Sequence, residues 1–377
     1  MLDPIRHPRL LRLRILWERF KARFVSSDPG QAEADRQLSA FYERVWREAA
    51  GQIRATVIDL GNHFLEIRLG NRRTRVWHHN TEIDHLAGHR LVRTKGLMHR
   101  LLAAQGLPTP RHVEFQLDDM RRAADFLDEA SGPCVIKPAC GTGGGLGVVT
   151  GIRTRWQLAM AAWRASRWGD HPIIEEEIKG DNYRLLYLDG KLLDVVKRQP
   201  PSVVADGIST IGQLLDCANR ERLEQRAAVS HSQIGIDLDV ETTLARQGLS
   251  LRSVPAKDTC VRLKTVINDN SSHENITAWD ELCDDILGET AQAVSYSGLR
   301  LAGVDIICAD PGRSLQESGG VILEVNSPPG YFWHYHKRNG SFPVALHVLR
   351  ALFALPDEPN GNGAAADTPG APQPLGV

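Results

Sequence analysis

The chain has 377 residues with a formal net charge of −1, 42% hydrophobic and 24% charged, enough for roughly two or three packed lobes. The near-neutral balance excludes an electrostatic case for nucleic acid as the main partner, and no apolar run approaches the ~20 residues of a membrane-spanning helix. The six cysteines, Cys134, Cys140, Cys217, Cys260, Cys283 and Cys308, are scattered without a CxxC pair. That argues against a zinc site or disulfide framework and for reduced thiols in a cytoplasmic protein.

Residues 1–50 read as helical. Charges break up the apolar runs at the start, which argues against a signal peptide. Leu13, Trp17, Phe20 and Phe24 share one helical face, a stripe suited to packing on the body or a second subunit rather than resting on a membrane. Residues 54–68 predict a strand pair around Gly61-Asn62, and 74–78 a further strand, so 50–85 make a small α/β cap. A helix is predicted over 93–105, ended by Gly106, Pro108 and Pro110. Strand and helix then alternate over 111–180. Cys134 to Pro138 reads as a buried strand stopped by its proline, 156–168 as helix and 173–178 as the next strand. The segments 183–188 and 192–198 flank Asp189-Gly190, a tight-turn signal between antiparallel strands. Two more apolar strands are read at 303–308 and 321–326. From Pro356 onward Pro, Gly, Ala and Asn dominate, leaving little to bury, and disorder is expected. The units expected are 1–90 (helical and small α/β), 91–355 (with lobes at about 111–180 and 181–355) and the tail 356–377.

Chemistry concentrates in three places. The run from Gly141 to Gly147 (GTGGGLG) follows the strand carrying Lys137. Glycines let backbone N–H groups approach phosphate oxygens. The run lacks the Gly-Lys-Ser/Thr ending of a Walker A loop and fits GxGxxG in no register. Alone it reads as a turn as readily as a phosphate cradle, but a strand lysine beside it suits a triphosphate held from two sides. Asp305 stands in one apolar strand, and Glu324 and Asn326 share a face of another. Buried carboxylates are costly unless paired or bound to a cation, and hard oxygen donors suit Mg²⁺; the competing reading is a salt bridge to an arginine. His78-His79 and His334/His336 have no metal-ligand spacing and read as cleft-lining or surface imidazoles.

The order of these motifs resembles the ATP-grasp superfamily, and within it the ligase domain of cyanophycin synthetase and its glutathione-synthetase-like relatives. The resemblance runs from about Thr94 to His334. It takes in Thr94-Lys95, Gly106-Leu107-Pro108-Thr109-Pro110, Val135-Ile136-Lys137-Pro138, the glycine run, Ile173-Ile174-Glu175, Lys197-Arg198-Gln199-Pro200, the stretch from Val203 to Ile211, Ala302-Gly303-Val304-Asp305 and Glu324-Val325-Asn326-Ser327-Pro328-Pro329-Gly330.

The resemblance implies an α/β ATP-grasp fold with nucleotide between two lobes. It implies an ATP-dependent carbon–nitrogen ligase that activates a carboxylate as an acyl phosphate and joins it to an amine. Lys95, Lys137 and the flap glycines Gly143, Gly144 and Gly145 would contact phosphates. Glu175, Glu176 and Ile178 would lie on the adenine-pairing hinge strand. Asn182 would face the ribose, where relatives often carry an acid. Asp305, Glu324 and Asn326 would ligate Mg²⁺ (two ions, with Mn²⁺ as a substitute), and Arg198 and Arg262 would attend the transferred phosphate and acyl intermediate; Arg184 would join them as a catalytic residue or, equally, serve as a structural ion pair. The expected partners are a small-molecule or peptide carboxylate and amine, with a homo-oligomeric assembly. The chain is too short for the additional Mur-ligase-like domain of cyanophycin synthetase, and the loop from Asn268 to Ser272 lacks the double glycine common in relatives, so polymer synthesis is not carried over. Two other readings remain open: an ATP-grasp kinase that phosphorylates a hydroxyl, and a non-catalytic nucleotide-binding regulator.

Overall fold

The computed structural model describes residues 29–140, 147–166, 168–169, 171–224, 234–236, 238–265, 267 and 274–356. The Leu13–Phe24 stripe, Gly143, Gly144 and Gly145, the 268–272 loop and the tail lie outside them.

The first described element, α1 (Pro29–Gln52), buries Phe41, Tyr42, Val45, Trp46, Ala49 and Ala50, a spacing that aligns one face of a helix. An antiparallel meander follows, β1 (Thr56–Gly61), β2 (Phe64–Leu69) and β3 (Arg72–Trp77). Next come α2 (Leu86–Arg93) and α3 (Lys95–Ala104). The single helix read over 93–105 is thus preceded by another, and the two part at Thr94, whose ψ of 81° leaves helical space. The Lys95 N–H donates to Ala139 O at 3.2 Å instead of to its own helix.

A four-stranded antiparallel sheet in the order β4-β7-β5-β6 is built from β4 (His112–Glu114), β5 (Cys134–Pro138), β6 (Val149–Ile152) and β7 (Pro172–Glu176). The helices α4 (Arg121–Glu129) and α5 (Arg155–Ala165) cover it. Thr154 and Gln157 close the start of α5 with a reciprocal capping box, satisfying N–H groups that the first helical turn leaves open.

The hairpin β8 (Asp181–Leu188) and β9 (Lys191–Arg198) turns through Asp189 and Gly190, both at positive φ (50° and 77°), as a tight two-residue connection requires. Then come β10 (Ser202–Val204), α6 (Ile211–Glu224), α7 (Leu238–Arg246) and β11 (Cys260–Arg262), with β10 and β11 paired. The chain ends its described part with β12 (Asn275–Thr277), α8 (Asp284–Ser297), β13 (Leu301–Cys308), α9 (Leu315–Ser318), β14 (Val321–Asn326), α10 (Phe332–Tyr335) and α11 (Val344–Leu352).

A five-stranded antiparallel sheet runs β12-β9-β8-β13-β14. Strand alternation divides its residues between two faces. Tyr183, Leu185, Tyr187, Val195, Val304, Ile306 and Val325 pack with Ile286, Ala293 and Val294 of α8. The other face carries Asp194, Arg198, Arg184, Asp305, Glu324 and Asn326, and beyond them Leu186, Leu188 and Leu301 join a core with α1, β2, β3, Tyr331 and α11. The N-terminal unit is therefore packed directly onto the sheet that holds the charged residues. Among the described residues no helix is long and apolar enough to cross a membrane.

Candidate active site

Sheet register explains why the charged face forms. Arg184 of β8 lies opposite Asp305 of β13, and Asp305 lies opposite Glu324 of β14, so three side chains form a row across adjacent strands. The Arg184 guanidinium grips Asp305 with a fork, Nη2 donating to Oδ2 at 2.6 Å and Nε to Oδ1. Asn326 Nδ2 donates to the same Oδ2 at 2.9 Å. Gly303 makes room for this: a Cβ there would meet Arg184 Cδ and Pro329 Cβ at 3.1 Å each. Burial works against the Asp305 carboxylate, but Arg184 beside it, then Arg198 and Lys95, hold its pKa below the usual carboxylate value. Arg184 is correspondingly pushed up by Asp305 despite its own desolvation.

Lys95 reaches the end of the row and pairs with Glu324. Lys137 pairs with Glu175 at 2.7 Å, both side chains under a tenth exposed. Glu175 Oε2 nevertheless has no directed hydrogen bond, so that contact is one of charge rather than of aligned donor and acceptor.

Arg198 is different. It is 6% exposed, and among the described residues its side chain makes one hydrogen bond, a long 3.4 Å one to Ile267 O, while its buried Nε has no partner there. Trp333 of α10 presents its ring 5.8 Å from the guanidinium carbon. Burial first, and the neighbouring Arg184 second, pull its pKa down to about 10. Asp305 and Glu324 offset part of this from a distance, but a buried cation without a direct partner is costly, and this one stands on the same face as the Asp305 row.

The remaining positions are placed as follows. Glu176 pairs with Arg111 at 3.1 Å. The N–H groups of Glu176 and Glu177 donate to Arg111 O and Pro133 O, whereas Ile178 N–H has no partner among the described residues. Asn182 stands opposite Arg198 on β9 and Ile307 on β13. Arg262 is exposed on β11 opposite Ser202, and among the described residues its side chain joins no ion pair. The structure thus brings Arg184 and Arg198 together and leaves Arg262 on a separate two-stranded sheet.

Over 289 residues the chain is 33% identical to the cyanophycin synthetase of Trichormus variabilis, an alignment covering 74% of this chain and 31% of that protein. It is 29% identical over 304 residues to a bifunctional glutathione biosynthesis protein of Mannheimia succiniciproducens, covering 78% of this chain and 39% of that one. The crystal structure of a bifunctional glutathione synthetase from Pasteurella multocida superposes with a TM-score of 0.53 at 24% identity, over 80% of this chain and 42% of the other. The chain is an ATP-grasp protein. It spans 31% to 39% of the length of these curated relatives, and no family profile matches the sequence.

The ATP-grasp chain offers hard oxygen donors for a divalent cation in Asp305, Glu324 and the Asn326 amide. Among the described residues no three His, Cys, Asp or Glu side chains converge as a metal set. A cation here would therefore rely on two carboxylates, the amide and substrate oxygens, which fits Mg²⁺.

Sequence reasoning missed one buried charged cluster on the strand that carries Arg198. Asp194 of β9, 1% exposed, accepts from Lys337 Nζ at 2.8 Å on each oxygen and sits 2.7 Å from His334 Nδ1. The signal was present: Asp194 is a single carboxylate in an apolar strand, the same feature that marks Asp305. The other histidines lie apart. His78 stacks between Trp77 and Tyr42, His79 lies near Tyr42, and His336 stacks on Phe332.

Proposed function

We propose that this chain is an ATP-dependent carboxylate–amine ligase that acts on an amino acid or short peptide through an acyl phosphate. The observation that carries the proposal is Arg198. Of the cations on the charged face, Lys95 and Arg184 are in direct ion pairs, whereas Arg198 feels Asp305 and Glu324 only from a distance and pairs directly with no carboxylate among the described residues. A buried guanidinium with an open Nε is a receptor for an anion, and a carboxylate becoming an acyl phosphate is the anion this chemistry supplies.

The physical problem is that a carboxylate is a poor electrophile and must meet a polyanionic nucleotide. Lys137 and Lys95 offset the phosphate charge, and the open N–H of Ile178 offers a donor to the adenine edge. The glycines Gly143, Gly144 and Gly145 would cover the phosphates and exclude water. Asp305, Glu324 and Asn326 would hold Mg²⁺, which neutralises charge as the γ-phosphoryl moves. Arg198 binds the carboxylate as it becomes the acyl phosphate, and Arg184, fixed by Asp305, sets the field beside it. When the amine attacks, the oxyanion lies against Arg198. In this reading residues 1–90 and the 265–280 segment select the acceptor, the lobes at 111–180 and 181–355 clasp the nucleotide, and the protein works in the cytoplasm as a homo-oligomer.

The test is phosphate release from ATP and Mg²⁺ with pools of amino acids and short peptides, products being weighed by mass spectrometry. A product lighter than acid plus amine by one water supports the ligase. A product that retains phosphate on a hydroxyl identifies a kinase instead. In the same assay Glu324→Ala is expected to abolish turnover with the fold intact, and near-normal turnover in that variant removes the metal assignment.

A further inference from the structure

His334 has no exposed surface. Its Nδ1 lies 2.7 Å from Asp194 Oδ2. An ionised carboxylate only accepts, so the proton must sit on Nδ1, and Nε2 of the neutral ring carries a lone pair. That Nε2 is buried and has no hydrogen-bond partner. Leaving a buried acceptor unmade costs about 1–3 kcal/mol, so the atom is placed for a donor that no described residue supplies.

Its position says which donor. Asp194 and Arg198 lie on the same face of β9, separated by two pleats, about 13 Å along the strand. The preceding residue of α10, Trp333, covers Arg198, and Arg184 is close enough to act on the His334 charge. An open cationic donor at Arg198 and an unpartnered neutral acceptor at His334, which is held by Asp194 of the same strand, thus stand in one part of the molecule. Resting on the ligase reading above, we infer that His334 is the general base that takes a proton from the incoming amine.

The proton accounting is complete. The amine arrives as R–NH₃⁺, and Nε2 takes one proton, leaving R–NH₂ and an imidazolium held by Asp194. The nitrogen lone pair forms the C–N bond, and the acyl C–O bond breaks with its electron pair leaving on phosphate. The second nitrogen proton goes to the departing phosphate, and His334 returns its own to solvent. The imidazole is covered in this structure, so the inference requires α10 to lift from β9 as the amine enters. Three groups face the ring: Asp194 from β9, Lys337 from the segment after α10, and Arg184 from β8. Burial foremost, then Arg184 and Lys337, lower the His334 pKa against the pull of Asp194, which keeps the ring free of a second proton until the amine arrives.

Hydroxylamine separates the steps, because it is an unprotonated nucleophile at neutral pH and needs no base. Wild type, His334→Gln and Lys337→Met are assayed with ATP, Mg²⁺ and each standard L-amino acid as the acid, first with hydroxylamine and then with amino-acid amines. For His334→Gln the expected result is hydroxamate formation within about threefold of wild type, amine ligation reduced about 100-fold or more, and a rate that rises only as the amine loses its own proton. Lys337→Met removes a cation that opposes imidazole protonation, so its ascending pH limb is expected to move upward. Ligation by His334→Gln within threefold of wild type and with the same pH profile overturns the inference. So does a parallel loss of hydroxamate and ligation, which marks a structural role. If wild type gives no hydroxamate with any acid, the ligase reading itself fails.

Discussion

Arg198 sets a conflict between stability and function at a single side chain. Its buried charge lacks a direct carboxylate partner among the described residues, and an apolar side chain of similar length removes that cost. Arg198→Met is therefore expected to raise unfolding free energy by at least about 1 kcal/mol in urea while eliminating turnover; a destabilised variant shows that the guanidinium is compensated. His99 gives the pH counterpart. It is 2% exposed, hydrogen-bonded to Leu323 O, and pushed down to about 3 by burial and then by Lys137. Its ordinary pKa is 6.5, so the unfolded chain takes up a proton below that value before the folded chain does. The stability it contributes is complete above 6.5 and is lost as pH falls toward 3, at up to about 1.4 kcal/mol per pH unit. His99→Gln is expected to flatten that slope in denaturation series between pH 6.5 and 4.5. At this scale a charge interrupting an apolar strand was the legible signal, picked up at Lys137, Asp305 and Glu324 and passed over at Asp194. Arg262 was less so, because nothing local shows that β11 pairs only with β10 and stands off the main sheet.

Among elements, the β8–β9 hairpin was readable because Asp189-Gly190 can adopt two successive positive φ values. The two-helix arrangement at Thr94 was not, since the break depends on Ala139 accepting the Lys95 N–H from a distant loop. The three-residue strands β10, β11 and β12 were equally hidden, being too short to show a period of two. Gly180 leads into β8 at φ +145°, and a Cβ there would fall 2.3 Å from the Cys308 carbonyl carbon and oxygen. Backbone cannot step aside as a side-chain end can. Gly180→Ala should cost about 2 kcal/mol or more, read as a lowered urea midpoint, and an unchanged midpoint shows that the β8–β13 edge is loose.

At the scale of the whole molecule, the sequence suggested a small cap before the ATP-grasp lobe but not how the two are joined. Residues far apart in the chain share that core, and hydrophobic periodicity carries no record of their partners. Trp46, 1% exposed, packs edge-on to Tyr331 and donates its indole N–H to His78 O at 2.7 Å. Trp46→Ala should cost about 3–5 kcal/mol. Because the same core includes Leu186, Leu188 and Leu301 of the site-bearing sheet, fluorescence and activity are expected to be lost in one transition. Activity that outlasts the unfolding of the N-terminal unit shows the two to be independent.

The Tyr331 N–H donates to the Tyr42 hydroxyl at 3.1 Å, closing a contact 289 residues apart in the chain. On the ribosome these partners are made at different times. At about 5–20 residues per second, α1 waits some 15–60 s for the strand and helix that cover it. Throughout that interval the apolar face of Phe41, Tyr42, Val45 and Trp46 has only the cover of Leu65, Ile67 and Val76 from the β1–β3 meander. The growing chain therefore depends on slow collapse or on a chaperone during synthesis, and yield should respond to translation speed more than the finished protein's stability suggests.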